Sequence, residues 1–308
     1  MTDVLIVGAG PAGLEAALVL ARAGRSVVVL DGGPGRNAPS VHAYNVFTRD
    51  GTPPSELRRI GREQAEHYGA RFMSTEATDA TADADGVRVS LADGTETTAR
   101  RLLLATGVVD ELPPIPGLAE AWGETVAHCP FCHGYELRGR PTAVFTRGET
   151  AVEFARTLTG WTDRLTLVTD GPADLTGEQR AALDTLGVAV DERPVASLDV
   201  NGRDVRAVVF EGGGRLDVTA VYVRPPQHLR GPLPAALGLA LTEGNPATFT
   251  PPGLVAVDAF GRTSVPDVWA CGDMVMPMQA VQNAATSGFA AAAMLNHDLI
   301  AAGVRYAL

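Results

Sequence analysis

The chain has 308 residues, enough for one large or two medium-sized domains. Its formal net charge of −11 argues against nucleic acid or an anionic membrane surface as the main partner, and its 45% hydrophobic content is that of an ordinary globular enzyme. Three cysteines do not make a secreted disulfide framework, and no export signal or membrane-spanning run is recognisable, so the sequence predicts a cytoplasmic protein.

The first segment has the pattern of a strand, a glycine-rich turn and a helix. The apolar run Val4 to Val7 precedes Gly8-Ala9-Gly10-Pro11-Ala12-Gly13, and a helical stretch and a second strand that ends at Asp31 follow. Gly8 permits a tight turn, Gly10 lets the backbone approach a pyrophosphate, and Gly13 lets helix and strand pack closely. The helix N-terminus supplies N–H groups to phosphates, and Asp31 can accept from a ribose hydroxyl. This context predicts a dinucleotide site.

The next stretch alternates loops with regular elements. The glycine-rich loop from Gly32 to Asn37 could wrap a cofactor or simply turn the chain. A helix is predicted from Thr52, as its N-cap, to about Gly69. A buried strand then ends in Ala105-Thr106-Gly107, and the proline-rich residues 111–117 predict a stiff linker at a domain boundary.

Two cysteines stand two residues apart in His128-Cys129-Pro130-Phe131-Cys132-His133. Thiols at this spacing can close and open a disulfide, and Pro130 favours the first turn of a helix, which lowers the pKa of a thiol at that end. His133 is predicted to be the acid–base and electrostatic partner, because its ordinary pKa lies near neutrality. For His128 and His42, packing or loop roles are at least as consistent with the sequence. No second Cys/His pair at zinc-site spacing accompanies the motif, so we predict no metal.

A second strand–turn–helix unit follows, but its turn is altered. It reads Thr146-Arg147-Gly148-Glu149-Thr150-Ala151, with a β-branched residue in place of the first glycine. Glu149 adds negative charge where a pyrophosphate would lie, and Asp170 at the end of the next strand would repel the 2′-phosphate of NADP. The pattern predicts a retained fold whose nicotinamide site is impaired or absent. The alternative is a tolerated variant that still binds NAD.

The last part of the chain returns to cofactor-type features. A strand is predicted over Gly253 to Val257, and another ends in Cys271-Gly272-Asp273, where Asp273 can bind a polyol hydroxyl or cap a helix. Gln279-Ala280 opens an Ala-rich helix, and Cys271 is expected to pack as a small buried hydrophobe.

Taken together, these motifs resemble the low-molecular-weight thioredoxin reductase family over nearly the whole chain. The resemblance implies an α/β fold with two Rossmann-like three-layer dinucleotide-binding domains and FAD as cofactor. It implies an FAD domain in two parts, 1–112 and 245–308, around an inserted domain, 118–244, that carries the cysteine pair. It also implies a homodimer. The implied cofactor-binding residues are Gly8, Gly10, Pro11, Ala12, Gly13, Asp31, Gly32, Arg36, Asn37, Asn45, Ala105, Thr106, Gly107, Gly272, Asp273, Gln279 and Ala280.

Two departures from that family, His133 in place of aspartate and the altered second glycine turn, resemble a sub-branch of flavin-dependent dithiol oxidases of disulfide natural products. That resemblance implies a small-molecule dithiol as substrate, Cys129 as the sulfur it attacks, Cys132 as the sulfur facing the flavin, and O2 as electron acceptor with H2O2 as product. The alternatives are an NAD(P)H-dependent thioredoxin reductase-like disulfide reductase, a ferredoxin-fed reductase and a redox-sensing binding protein.

Overall fold

The computed structural model describes residues 1–245 and 250–306. The strands are β1 (Thr2–Val7), β2 (Val27–Leu30), β3 (Arg71–Met73), β4 (Ala77–Asp83), β5 (Gly86–Leu91), β6 (Glu96–Leu104), β7 (Val108–Asp110), β8 (Val126–Ala127), β9 (Thr142–Phe145), β10 (Leu165–Val168), β11 (Ala189–Asp191), β12 (Val195–Asn201), β13 (Asp204–Phe210), β14 (Arg215–Asp217), β15 (Ala220–Val223), β16 (Gln227–Leu229) and β17 (Val268–Ala270). The α-helices are α1 (Pro11–Arg22), α2 (Pro54–His67), α3 (Leu118–Ala121), α4 (Pro130–Leu137), α5 (Ala151–Thr159), α6 (Gly177–Thr185), α7 (Leu233–Ala236) and α8 (Val281–Ala301).

The chain folds into two compact units. The first unit comprises residues 1–38, 46–109 and 227–308, and the second comprises residues 39–45 and 110–226. The sequence-based boundary at 244 differs from this division, because residues 227–244 contribute Leu233 and Leu239 to the core that contains Leu5 and Leu102 of the first unit. Residues 246–249 and 307–308, within the last predicted segment, lie outside the described residues.

A seven-stranded sheet forms the centre of the first unit. Its strands run in the order β3-β2-β1-β6-β5-β4, and β17 pairs in parallel with the C-terminal part of β6. The strands β1, β2, β3 and β6 are parallel, and β1 from Val4 onward and the whole of β2 are apolar and buried because both faces of the sheet are covered. Helix α8 packs closely on α1: a Cβ at Gly288 would lie 2.1 Å from the backbone oxygen of Ala12. This packing holds the N-terminus of α1 at the carboxyl edge of the sheet.

The second unit has a five-stranded parallel sheet in the order β11-β10-β9-β15-β8 and a three-stranded antiparallel sheet, β12-β13-β14. The sequence predicts one strand over Leu216 to Val223, and this prediction is wrong. Strand β14 ends at Asp217 and β15 begins at Ala220, since the chain crosses there from the antiparallel to the parallel sheet. The predicted α/β fold with two Rossmann-like sheets is confirmed.

Three local predictions need correction. Residues 253–257 form only an isolated bridge between Val255 and Leu241 rather than a strand. Helix α2 has Pro53, not Thr52, as its N-cap, because the Pro53 carbonyl accepts the first helical bond from Leu57. Helix α8 starts at Val281 with Ala280 as N-cap, two residues later than predicted. Within the described residues no helix has the length and apolar character needed to cross a membrane.

Candidate active site and cofactor site

The first glycine turn joins β1 to α1, with Gly10 as N-cap and Pro11 at the first helical position. A Cβ at Gly8 would lie 2.4 Å from the backbone oxygen of Ala105, and one at Gly13 would lie 1.9 Å from the oxygen of Gly8. A Cβ at Gly10 would meet none of the described atoms within 4 Å. The first and third glycines are therefore required by packing within the protein, whereas the second leaves open space over helical N–H groups, which fits a pyrophosphate.

Asp31, at the end of β2, is held by an arginine that sequence reasoning missed. Arg58 Nη2 donates to both carboxylate oxygens of Asp31 at 2.8 and 3.0 Å, and Arg58 Nε donates to the carbonyl oxygen of Ala9 at 3.2 Å. Arg58 thereby ties the carboxylate to the glycine turn and orients it. Arg58 lies on α2, which the sequence predicted, but no local pattern indicates its partner. The role of Asp31 toward a ribose stays a prediction.

Three predicted cofactor residues from distant segments lie together in the first unit. Arg36 Nη1 donates to Asp273 Oδ2 at 3.0 Å and to Gln279 Oε1 at 2.5 Å, and Gln279 Nε2 donates to the backbone oxygen of Asp273 at 3.4 Å. This network connects the glycine-rich loop after β2 with the start of α8. The half-buried Asn37 lies in the same loop, beside Gly35.

Two further predicted turns adjoin that network. A Cβ on Gly107 would lie 4.0 Å from Asp273 Cβ, and the Thr106 hydroxyl donates to Met274 Sδ at 3.7 Å. A Cβ on Gly272 would lie 2.9 Å from Ala12 Cβ on the first turn of α1. The turn after β6, the turn after β17 and the start of α1 are thus neighbours, as binding of one extended cofactor across these turns requires.

The cysteine pair occupies the first turn of α4 in the second unit. Cys129 is the N-cap, Pro130 occupies the first helical position as predicted, and the backbone N–H groups of Cys132 and His133 donate to the Cys129 carbonyl. The Cys132 thiol donates to Cys129 Sγ with the sulfurs 2.9 Å apart. A disulfide has an S–S distance of about 2.0 Å, so the two sulfurs need to approach by only about 1 Å when two electrons and two protons are removed from the pair.

Helix α4 packs closely against the Trp161 side chain, and a glycine in the helix permits this. A Cβ at Gly134 would lie 2.7 Å from the Trp161 ring, so only glycine lets the helix approach that indole. Phe131 and Tyr135 lie one turn apart on the same helix and are 69% and 63% exposed. The cysteine pair therefore borders an aromatic surface.

His133 is partly buried in a small cavity of about 110 Å³ lined by His42, Tyr44, Glu124, Glu136, Arg140 and Asp204 among others. Burial lowers the pKa of His133, and the carboxylates of Glu124 and Glu136 and a hydrogen bond to the Gly123 carbonyl partly oppose this effect. The predicted cationic role is thus disfavoured by the structure, and the neutral imidazole, which accepts a proton, is favoured. The ring of Tyr44 lies edge-on to His133 with centroids 6.4 Å apart.

The other histidines and Asn45 are placed as follows. His128 stacks on Trp122 at 5.7 Å, and His42 lies 6.0 Å from Tyr44, so both make packing contacts. Asn45 has a left-handed φ of 57°, and its Nδ2 donates to the Phe131 carbonyl in α4. Asn45 therefore belongs to the setting of the cysteine helix, and its role toward a flavin stays a prediction.

The altered turn of the second unit differs from the first one in its backbone. Gly148 to Thr150 form a 3-10 turn before α5 begins at Ala151, and Glu149 lies in the first turn of that segment. Asp170 Oδ1, at the end of β10, accepts from the Val195 amide at 2.7 Å. The arginines in the neighbouring segments pair with carboxylates, Arg193 with Asp191 and Arg180 with Glu192. In the described residues around the end of β10, these two arginines are thus engaged by carboxylates rather than directed at a 2′-phosphate site.

The third cysteine, Cys271, is separate from the redox pair. It is 1% exposed in the core of the first unit, where burial raises the pKa of its thiol to about 12. As the sequence predicted, it packs as a small hydrophobic residue.

The glycine turn, the aspartate at the carboxyl edge and the paired thiols on a helical first turn define a disulfide oxidoreductase of the dinucleotide-binding class. Residues 2–288 match the pyridine nucleotide-disulphide oxidoreductase family, to which the chain belongs. FAD is the cofactor of this thioredoxin reductase-like group, and the open space at Gly10 and the neighbouring turns around Asp273 fit it.

Individual relatives cover nearly the whole chain. The thioredoxin reductase sirT of Leptosphaeria maculans is 32% identical, over 97% of this chain and 95% of its own. The thioredoxin reductase tcpT of Claviceps purpurea is 33% identical, over 98% and 95%. The crystal structure of HlmI superposes with a TM-score of 0.92 at 40% identity, covering 98% of this chain and 94% of that one. A putative thioredoxin reductase from Bacillus anthracis gives a TM-score of 0.92 at 27% identity, over 98% and 100%.

Proposed function

We propose that the protein is an FAD-dependent dithiol oxidase that closes a disulfide in a small-molecule dithiol and passes the electrons to O2. The observation that carries the proposal is the contrast between an open first glycine turn and an altered second one. The first leaves space for a pyrophosphate at Gly10, whereas the second places Glu149 in the turn and engages Asp170 in a backbone bond. Electrons then enter through the cysteine pair rather than from a nicotinamide.

The exchange at the cysteines follows thiol–disulfide chemistry. A substrate thiolate attacks Cys129 Sγ in the enzyme disulfide, which releases Cys132 as thiolate. The second substrate thiolate attacks the substrate sulfur bound to Cys129, so that the substrate disulfide forms and Cys129 leaves as thiolate. When bound, FAD supplies the two-electron acceptor that restores the enzyme disulfide and reacts with O2. The sum is a dithiol plus O2 giving a disulfide plus H2O2.

His133 is assigned the proton acceptor in this exchange. Because burial favours its neutral form, one ring nitrogen can accept a thiol proton while the other is held by the Gly123 carbonyl. The cavity carboxylates Glu124 and Glu136 stabilise the imidazolium that forms. The exposed rings of Phe131 and Tyr135 offer apolar contact area beside the sulfurs, which suits a compact organic dithiol. A cytoplasmic homodimer is part of the same proposal.

The test is oxygen consumption by the purified holoenzyme with a small dithiol under air and without nicotinamide. We expect O2 uptake and H2O2 formation in equal amounts, one of each per disulfide formed. Cys132→Ser should abolish turnover because a single sulfur cannot form the enzyme disulfide, and Cys271→Ala serves as the matched control with retained turnover. Absence of O2 uptake over a series of dithiols would contradict the oxidase proposal.

A second candidate is an NAD(P)H-dependent disulfide reductase, favoured by the retained parallel sheet of the second unit and by the names of the relatives, which are called thioredoxin reductases. It requires nicotinamide to reduce the flavin. Rapid reduction of the flavin by NADPH or NADH in the absence of oxygen would support it.

A further inference from the structure

Tyr222 lies on β15 next to the strand that leads into the cysteine helix. In the parallel pairing it stands opposite Ala127 of β8 and Val144 of β9, and Cys129 follows Ala127 by two residues. Residues in register lie on the same face of a sheet. Tyr222 and Ala127 indeed share one core cluster with Leu137 of α4 and Phe154 of α5. The Tyr222 side chain is therefore buried on the face of the sheet that α4 covers.

The Tyr222 hydroxyl is an unusual group in this core. The residue is 2% exposed, and its Oη is one of two buried side-chain polar atoms that have no hydrogen-bond partner among the described residues. Buried hydroxyls are nearly always paired, and an exception needs a reason. Phe154 packs edge-on against the ring with centroids 6.4 Å apart, which fixes the ring without satisfying the hydroxyl.

Negative charge on the cysteine helix acts on this phenol. Burial raises the pKa of Tyr222 most, and negative charge on Cys129, Glu136 and Cys132, in that order, raises it further. A thiolate accepts hydrogen bonds from nearby donors, and a protonated phenol is such a donor. Cys129 Sγ already accepts from the Cys132 thiol, so a charge on Cys129 would be stabilised by two donors.

We propose that the Tyr222 hydroxyl donates a hydrogen bond to Cys129 Sγ when that sulfur is a thiolate, and so lowers the pKa of Cys129 in the reduced enzyme. In the disulfide state the sulfur carries no charge and the bond is weak. The phenol thus stabilises the form of Cys129 that leaves when the substrate disulfide closes. The inference rests on the proposed function for that direction of exchange, although the thiolate itself occurs in either direction.

Other ionisable groups near the site also act on the pKa of Cys129 and must stay unchanged when the Tyr222 hydroxyl is tested. Helix α4 contributes Cys132, His133 and Glu136, and Arg224, the residue after β15, lies over the Phe154 ring at 4.8 Å. The Glu153 and Arg156 side chains of α5 are exposed, and β8 and β9 contain no titratable residue. A Tyr222→Phe change leaves all of these groups in place and removes only the hydroxyl.

The experiment measures the rate of alkylation of Cys129 by iodoacetamide against pH in the holoenzyme carrying Cys132→Ser, in which the remaining Cys271 is buried. Adding Tyr222→Phe should raise the apparent pKa of Cys129 by about 1 to 2 units and slow alkylation at neutral pH about tenfold or more. Tyr135→Phe, an exposed phenol on α4, is the matched control and should leave the profile unchanged.

Two results would overturn the inference: an unchanged pH profile in Tyr222→Phe, or an equal shift in Tyr135→Phe. Phe154→Leu tests packing alone, since it loosens the ring contact but keeps the Tyr222 hydroxyl. It should lower the melting temperature without shifting the pKa of Cys129. A shift equal to that of Tyr222→Phe would also contradict the inference. The assay needs neither dithiol substrate nor O2. A shifted profile in an enzyme that consumes no O2 would therefore refute the proposed function and support the role of Tyr222.

Discussion

The two glycine turns have the same place in two similar folds but differ in the space that they leave for a ligand. In the first unit Gly8 and Gly13 are used for packing, and Gly10 leaves open space at the N-terminus of α1. In the second unit the corresponding segment contains a 3-10 turn with Glu149, and α5 begins only at Ala151. The strands that flank each turn remain parallel and buried, because the fold depends on the apolar strands and not on the ligand. In the proposed function, this difference bears on the route of the electrons and not on the architecture.

The largest expected effect is on stability, which a glycine-to-alanine change should lower much more in the first turn than in the second. Gly13→Ala would bring a Cβ to 1.9 Å from the Gly8 carbonyl, and we expect a loss of about 3 kcal/mol or more of unfolding free energy together with loss of FAD. Gly148→Ala meets no described atom within 4 Å, and its φ of +70° costs about 1 kcal/mol. Urea unfolding and flavin absorbance measure both. Similar losses of unfolding free energy in the two variants would contradict the difference in packing between the two turns.

Activity should depend on the cysteine helix rather than on the second turn. His133→Ala should lower kcat/KM for a dithiol by about 100-fold, the usual contribution of a general base. Because burial lowers the pKa of His133, the neutral base persists to lower pH, and the acid limb of the wild-type profile should lie below its ordinary value of 6.5. The exposed His297→Ala is the control and should behave as wild type. An acid limb above 6.5 would show that the carboxylates outweigh burial.

A smaller effect concerns cofactor affinity alone. Gly10 has an extended backbone that alanine can adopt, so Gly10→Ala should fold normally but obstruct the approach of the pyrophosphate. We expect FAD affinity to fall about tenfold or more, equivalent to about 1.4 kcal/mol, with unchanged stability of the apoprotein. Arg147→Ala, an exposed change in the second turn, should leave FAD affinity unaltered. Titration of the apoproteins with FAD checks both expectations.

The smallest effect distinguishes the thiols of the two units. In the reduced native enzyme an aromatic disulfide reagent should titrate two thiols, Cys129 and Cys132, because burial raises the pKa of Cys271 to about 12. Denaturation should release the third. Three reactive thiols in the native enzyme would mean that the first unit opens readily at Cys271.

Local sequence signals predicted the elements that depend on neighbours in the chain. The glycine turn before α1 and the helix that begins at Pro130 are of this kind, since a backbone conformation and a proline position suffice to specify them. The break between β14 and β15 was not predictable in the same way, because an apolar run continues through it and only tertiary pairing divides it.

The sequence predicted the reactive residues of the candidate site but not the residues that contact and orient them. The paired thiols and His133 were evident from spacing. Other features depend on residues from separate segments, and no periodicity in the sequence marks them. They are the Arg58 contact with Asp31, the Glu124 carboxylate near His133 and the Tyr222 hydroxyl, which has no hydrogen-bond partner among the described residues. Burial also lowers the pKa of His133, an effect that sequence alone does not contain.

In the proposed function, electrons enter the enzyme through the cysteine pair and not from a nicotinamide. Anaerobic titration of the FAD holoenzyme, followed at the flavin absorbance maximum, tests it directly with NADPH, NADH and a small dithiol as reductants. We expect the dithiol to bleach the flavin while neither nicotinamide does so at comparable concentration. Rapid stoichiometric bleaching by NADPH or NADH, with none by dithiols, would contradict it.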